Sequence, residues 1–234
     1  MSLHVLSWNI AQLELSAEAP PGWDMDFSQD AIRRFVLRLQ PDLICFQEVP
    51  TDVPFVEGYE LLPKQTESHC GYVVTLVRED LVEASMKHAV VHRSTVLTQF
   101  DEVGLTIANV HLPPWNSGRL ERTTVLKEIV ERCATERLVV IGDTNTRIEE
   151  EDGIAELGLI VDRPPSVTWD TRRNRFRADS NEYSAYYTRH FCRGEVAFRD
   201  VRVWDTPMQV DDRKFFLSDH FAMSGRIEYN SSSS

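Results

Sequence analysis

The chain has 234 residues, 42% hydrophobic and 26% charged, a balance that suits one globular α/β domain with a sizeable core and excludes a disordered chain. Its formal net charge of -12, from 25 Lys and Arg against 37 Asp and Glu, argues against non-specific coating of nucleic acid or of an anionic membrane. A local basic site stays open, as does a carboxylate-rich pocket that needs a metal before it accepts phosphate. No run of about 18 apolar residues spells a transmembrane helix. The start "MSLHVLSWNI" lacks the basic and continuously apolar parts of a signal peptide. The expected setting is intracellular, cytoplasmic or nuclear, with no membrane and no obligate protein partner, and the expected state is a monomer. The four cysteines Cys45, Cys70, Cys133 and Cys192 share no metal-ligand spacing, and Cys45 and Cys133 sit in apolar patterns expected of buried thiols.

In chain order, "LHVLSWNI" reads as a strand, followed by a Pro/Gly-rich loop at "EAPPGW". "DFSQDAIRRFVLRLQ" places Ile32, Phe35, Val36 and Leu39 at helical spacing, with Asp26 or Ser28 as cap and Pro41 as stop. "DLICFQEV" is a buried strand ending in Gln47 and Glu48. The segments "YELLPK", "GYVVTLVR", "MKHAVVH", "STVLTQFD" and "GLTIANVHL" suggest a meander of strands. "SGRLERTTVLKEIVERCATE" is a second amphipathic helix with Leu126, Ile129, Val130 and Cys133 on one stripe and Asn116 or Ser117 as cap. The buried strand "RLVVIGD" and a short acidic helix in "EEEDGIAELG" follow, then the strands "SAYYTRHFCR", "EVAFRDVRVW" and "HFAMSGRIEY". Residues 1–229 read as a single domain with more strand than helix, and 230–234 as a serine-rich tail.

Strand-like segments end repeatedly in polar residues: Asn9, Glu48, Asn109 with His111, and Asp143 with Asn145. Ser218, Asp219 and His220 open the final strand. Any one of them has an ordinary explanation as a turn, cap or solvated group. Five groups, each beside a buried run, point instead to one rim of a layered α/β domain, where ligands bind. The inventory suits metal-assisted phosphoester hydrolysis. Glu48 can hold a hard cation such as Mg²⁺, Asp143 can take a proton from an attacking water, and Asn9, Asn145, His111 and His220 can orient water or donate to phosphate. No covalent nucleophile is evident.

The ordered motifs "SWNI", "FQEV", "NVHL", "GDTNTR" and "LSDH" resemble the endonuclease/exonuclease/phosphatase superfamily of deoxyribonuclease I-like phosphoesterases, from Trp8 to His220. Within it, "GDTN" with Arg147 two residues on and "TWDT" at Thr168 to Thr171 are similar to the 5′-tyrosyl-DNA phosphodiesterases. The resemblance implies a four-layer α/β sandwich, two packed β-sheets flanked by helices. It implies Mg²⁺ or Mn²⁺ on Glu48 with Asp219 supporting the metal side, and Asn9 hydrogen-bonding around metal and phosphate. Asp143 activates water, Asn145 positions it or phosphate, and His220 and His111 stabilise phosphate charge. Trp169 lines the cleft for a DNA 5′ end, and Arg147 contacts substrate or structures its loop. One departure stands out: where the family has an Asp that orients the catalytic His, this chain has Thr188 in "YTRH", and Asp200 is one acid that could substitute. The loop "TWDTRRNRFR" carries Arg172, Arg173, Arg175 and Arg177, either as a cradle for a single-stranded end or as a solvated loop. The alternatives to a DNA-end phosphodiesterase are a phosphatase or phosphodiesterase for phosphoinositide, nucleotide or RNA, and a non-catalytic binding module with the same fold.

Overall fold

The computed structural model describes the chain except residues 1, 52–55, 63–65, 69, 83–86, 93, 178–180 and 231–234. The serine tail, Pro63 and Lys64 of "YELLPK" and Met86 of "MKHAVVH" therefore lie outside the described residues. The strands are β1 (Ser2–Asn9), β2 (Leu43–Val49), β3 (Tyr59–Leu61), β4 (Thr66–Glu67), β5 (Tyr72–Arg78), β6 (Lys87–His92), β7 (Thr95–Phe100) and β8 (Leu105–His111). They continue with β9 (Arg137–Asp143), β10 (Ile160–Asp162), β11 (Trp169–Asp170), β12 (Ser184–Ala185) and β13 (Thr188–Arg193). Last come β14 (Val196–Trp204), β15 (Met208–Val210), β16 (Arg213–Phe215) and β17 (Ala222–Tyr229). The helices are α1 (Met25–Leu39), α2 (Arg119–Arg132) and α3 (Glu151–Ala155).

One sheet runs β14-β17-β1-β2-β5-β3, with β4 also on β5, and the other runs β10-β13-β9-β8-β7-β6. Alternate residues of a strand face opposite sides, and here both sides are apolar. Val5, Leu43, Cys45 and Val77 of the first sheet pack against Leu105, Ile107, Val139 and Ile141 of the second. Leu6, Ile44, Phe46 and Val74 turn outward onto Ile32 and Val36 of α1. Ala108, Val110, Leu138 and Val140 turn outward onto Val125, Leu126 and Ile129 of α2. Three apolar seams make four layers, the sandwich expected from the motifs.

Several local expectations are corrected. Asp24, not Asp26 or Ser28, caps α1 by accepting from Phe27 N, while Ser28 is buried and accepts from Trp23 Nε1. Asn116 and Ser117 belong to a 3₁₀ turn, and Gly118 precedes α2 with no side-chain cap. The inward stripe of α2 includes Arg122, and Cys133 is only half-buried. "SAYYTRHFCR" breaks into β12 and β13. Ser218, Asp219 and His220 lie in the loop ahead of β17, not in the strand itself.

Two parallel pairs position the rim. β1 lies parallel to β2 with Asn9 opposite Gln47, and β8 lies parallel to β9 with His111 opposite Asp143. Parallel neighbours end on the same side, so all four C-terminal ends open onto one edge of the sandwich.

Candidate active site

Asp143 ends β9 as a buried residue. It follows Gly142, whose φ is +144° and where an added Cβ would stand 2.1 Å from Val110 O. Only glycine lets β9 approach β8 this closely before the carboxylate. Asp143 Oδ2 accepts from Asn9 Nδ2 (2.9 Å), and Oδ1 accepts from the backbone N of Asn145 (3.2 Å). Asn145 sits at φ +49° and donates from Nδ2 to Leu112 O (2.9 Å), so its conformation is fixed by the end of β8.

Glu48 reaches the same point from the other sheet. The pairing of β2 with β5 shifts between Phe46 and Val49, and Glu48 has φ +50°. A bulge of this kind re-aims a side chain out of strand alternation. Glu48 Oε1 accepts from Asn9 Nδ2 (2.9 Å), so one carboxamide bridges both carboxylates. His111 Nε2 lies 3.6 Å from Glu48 Oε1 and 3.6 Å from Asp143 Oδ2, and His220 Nε2 lies 3.4 Å from Asp143 Oδ2.

Burial pushes the Glu48 carboxyl up; the Asn9 hydrogen bond and His220 oppose that rise, while Asp143 and Asp219 add to it. Ligand atoms of Glu48, His111 and Asp143 all lie within 4.8 Å of one another. A buried and a partly exposed carboxylate that repel each other at this range, with an imidazole beside them, fit a divalent cation by charge and by donor chemistry. Asp219 is not one of these three. Its Oδ2 accepts from Arg177 Nε (2.7 Å), on the side that still raises the Glu48 carboxyl.

A turn that the sequence did not flag holds this cluster from behind. Ser68 Oγ is 3.0 Å from His111 Nδ1, and the Cys70 thiol donates to Glu48 Oε2 (3.2 Å) while accepting from Gln12 Nε2 (3.0 Å). Burial and the Glu48 charge push the Cys70 thiol up to about 12, so it stays a protonated donor. Gly71, at φ +66°, closes the turn against the Glu48 backbone. "ESHC" has neither periodicity nor motif, so no pattern in the chain marks these residues.

Around the cluster, the Trp169 ring lies edge-on to His220 at 4.7 Å and tilted to Tyr187 at 5.8 Å. Arg147 bonds to Asn145 O and donates to Pro114 O (2.7 Å), with its guanidinium 4.5 Å over the Tyr187 ring. It thus braces the loop after Asp143. Three arginines of the basic loop are engaged: Arg172 with Asp170 (3.4 Å), Arg173 with Asp205 (2.5 Å) and Arg177 with Asp219 (2.7 Å). Asn109, grouped by the sequence with the rim, is a clamp between the sheets. Its Nδ2 donates to Val74 O (2.8 Å) and its Oδ1 accepts from Gln47 Nε2 (2.8 Å).

Thr188 stands opposite Asp143 in the β13–β9 ladder. Its buried Oγ1 and the Nδ1 of His220 have no hydrogen-bond partner among the described residues. Asp200 does not substitute: it is exposed at the irregularity of β14 and makes no recorded contact with His220 among those residues.

The model of the endonuclease/exonuclease/phosphatase family matches residues 6–220. Comparison with curated proteins finds no match. Among solved structures, TDP2 of D. rerio complexed with a single-stranded DNA product is similar at 17% identity and a TM-score of 0.73, over 97% of this chain and 99% of that one. Truncated TDP2 of Caenorhabditis elegans is similar at 18% identity and a TM-score of 0.72, over 98% of each chain. An endonuclease/exonuclease/phosphatase protein of Bacteroides vulgatus is similar at 15% identity and a TM-score of 0.66, over 98% of this chain and all of that one.

Proposed function

This chain belongs to the endonuclease/exonuclease/phosphatase family, metal-dependent phosphoric ester hydrolases, and on that premise we propose that it hydrolyses phosphodiesters at DNA 5′ ends, with 5′-phosphotyrosyl DNA as substrate. The observation that carries the reading is the convergence of Asp143 and His111 from one sheet, Glu48 from the other and His220 from the loop ahead of β17. Support for the substrate comes from Trp169 beside His220, from the "TWDT" and "GDTNTR" motifs, and from likeness in fold to a TDP2 solved with single-stranded DNA.

In this proposal Mg²⁺ or Mn²⁺, held by Glu48 with Asp219 on that side, supplies Lewis-acid polarisation of a phosphoryl oxygen when bound. Asp143 Oδ2, held in place by Asn9, takes the proton of the attacking water. The water oxygen bonds to phosphorus as the bond from phosphorus to the tyrosyl oxygen breaks, leaving a 5′-phosphate and a phenolate that takes up a proton from solvent. Asn145 places the water or a phosphate oxygen, and the imidazoles of His220 and His111 donate to the charge that develops. Trp169 stacks on the DNA terminus, and Arg172 and Arg173 contact its backbone.

One observation favours a second reading. Arg172, Arg173 and Arg177 are matched by acids, so a small phosphoester such as a nucleotide or phosphoinositide would lose little attraction compared with a DNA strand. Hydrolysis of a 5′-tyrosyl oligonucleotide with Mg²⁺, with EDTA, and with Asp143→Asn separates the two. Tyrosine release that EDTA abolishes and the variant loses by about 10²-fold or more supports the proposal. Hydrolysis confined to nucleotides or inositol phosphates would replace its substrate.

A further inference from the structure

His220 also lines an aromatic cavity whose walls include neither Glu48 nor Asp143. A cavity of about 450 Å³, within the usual range of small-molecule pockets, is lined by Trp8, Phe35, Trp204 and Phe216, with Arg34 and Arg38 among its lining residues. Its lining also includes Ser218 and His220, the latter a residue of the candidate active site. The walls are held in order. Phe35 meets Trp8 edge-on at 5.5 Å and Trp204 edge-on at 5.4 Å. Trp8 Nε1 donates to His220 O (3.1 Å), and Trp204 Nε1 donates to Ser224 Oγ (2.9 Å), while the Arg202 guanidinium lies 3.8 Å over the Trp204 ring and covers one of its faces. Both arginines are exposed; Arg34 is paired with Asp30, and Arg38 lies over Phe35.

A phosphodiester has two arms, and Trp169 occupies only one flank of His220. We propose that this cavity is the leaving-group site: it takes the phenol ring of the tyrosyl ester, with Arg34 and Arg38 facing acidic groups of the attached peptide. The inference rests on the phosphotyrosyl reading above. An aromatic occupant follows from the walls of Trp8, Phe35, Trp204 and Phe216, which offer edge-to-face contact to a further ring. Arg38, whose guanidinium lies over Phe35, complements a carboxylate-bearing peptide, whereas Arg34 would share its charge with Asp30.

The test compares one oligonucleotide carrying either a 5′-tyrosyl or a 5′-(3-hydroxypropyl) phosphodiester, cleaved by wild type, Phe216→Ala and Ala31→Leu. Phe216→Ala removes one wall and Ala31→Leu fills the space, and an unchanged circular dichroism spectrum confirms folding of each variant. The expected result is a fall of about tenfold in kcat/KM for the tyrosyl substrate, with the alkyl substrate unaffected. An equal loss on both substrates would give the cavity to the DNA arm and overturn the proposal, as would no loss on either. Saturation-transfer NMR with N-acetyltyrosinamide reads the cavity without turnover. If wild type cleaves neither DNA but binds this ligand, and both variants lose it, the aromatic site stands and the functional reading falls. If wild type cleaves the tyrosyl DNA and the variants match it, only the cavity assignment falls. Absence of both cleavage and binding overturns both.

Discussion

Thr188 stands where the motifs lead one to expect an Asp, and its surroundings decide what a hydroxyl does there. It is fully buried and directly opposite Asp143, and cross-strand partners project to the same face about 4.5–5.5 Å apart at Cβ. The hydroxyl thus lies at the edge of the candidate active site without a partner among the described residues. An idle buried hydroxyl costs about 1–3 kcal/mol, and valine has nearly the same shape without it. Thr188→Val is therefore expected to raise Tm by about 2–4 °C for each kcal/mol recovered, while kcat stays within about twofold. Scanning calorimetry and steady-state kinetics check this. A loss of kcat beyond about tenfold with no gain in Tm would mean that the hydroxyl serves His220 during turnover. Single residues of the rim were legible because Asn9, Glu48, His111 and Asp143 each break an apolar run at its end. Ser68 and Cys70 were not, since a turn residue meets its partner only through folding of β2, β5 and β8 around it.

At the scale of elements, the chain pattern names the face of a strand but not the depth along it. Asn109 and His111 are two residues apart on β8 and share a face, so the period-two pattern groups them. The structure separates them. His111 reaches the rim, whereas Asn109 sits one step deeper and ties β8 to β2 and β5 through Gln47, Val74 O and Thr75 Oγ1. Asn109→Ala would leave the Gln47 amide short of an acceptor and Val74 O without this side-chain donor. A loss of about 2–3 kcal/mol in urea unfolding is expected, with turnover per folded molecule retained. Activity that falls while stability holds would return Asn109 to the catalytic rim. The same limit explains α2, whose inward stripe was read as apolar only. Buried Arg122 lies there because Glu150 Oε2 accepts from its Nε (3.0 Å) and Pro113 O from its Nη1 (2.7 Å). Its partners are near α3 and in the loop after β8, so no local pattern could have shown them. The layers themselves were legible, because strands buried on both sides read as unbroken apolar runs and the two long helices read as amphipathic.

For the molecule as a whole, the seam between the sheets contains a group that couples stability to pH from outside the candidate active site. His190 on β13 is buried opposite Ile141, with its ring 4.5 Å from Phe198 and neither ring nitrogen bonded among the described residues. Burial pushes its pKa down to about 4; nearby Asp162 opposes the shift and Arg189 adds to it. Its ordinary value, near 6.5, is regained on unfolding. Between those two values the unfolded chain holds a proton that the folded chain refuses, so protonation favours unfolding. The stabilising difference is complete above about pH 6.5 and is lost as the pH falls towards 4, at a rate of about 1.4 kcal/mol per pH unit. Urea unfolding is expected to show about 2 kcal/mol less stability at pH 5 than at pH 7 from this group alone. His190→Leu replaces the ring with an apolar side chain in an apolar seam, and subtracting its pH profile from that of wild type removes the other titrating groups. A difference profile that is flat from pH 7 to 5 would mean that the folded protein accommodates the imidazolium, and that the seam between the sheets opens to water there.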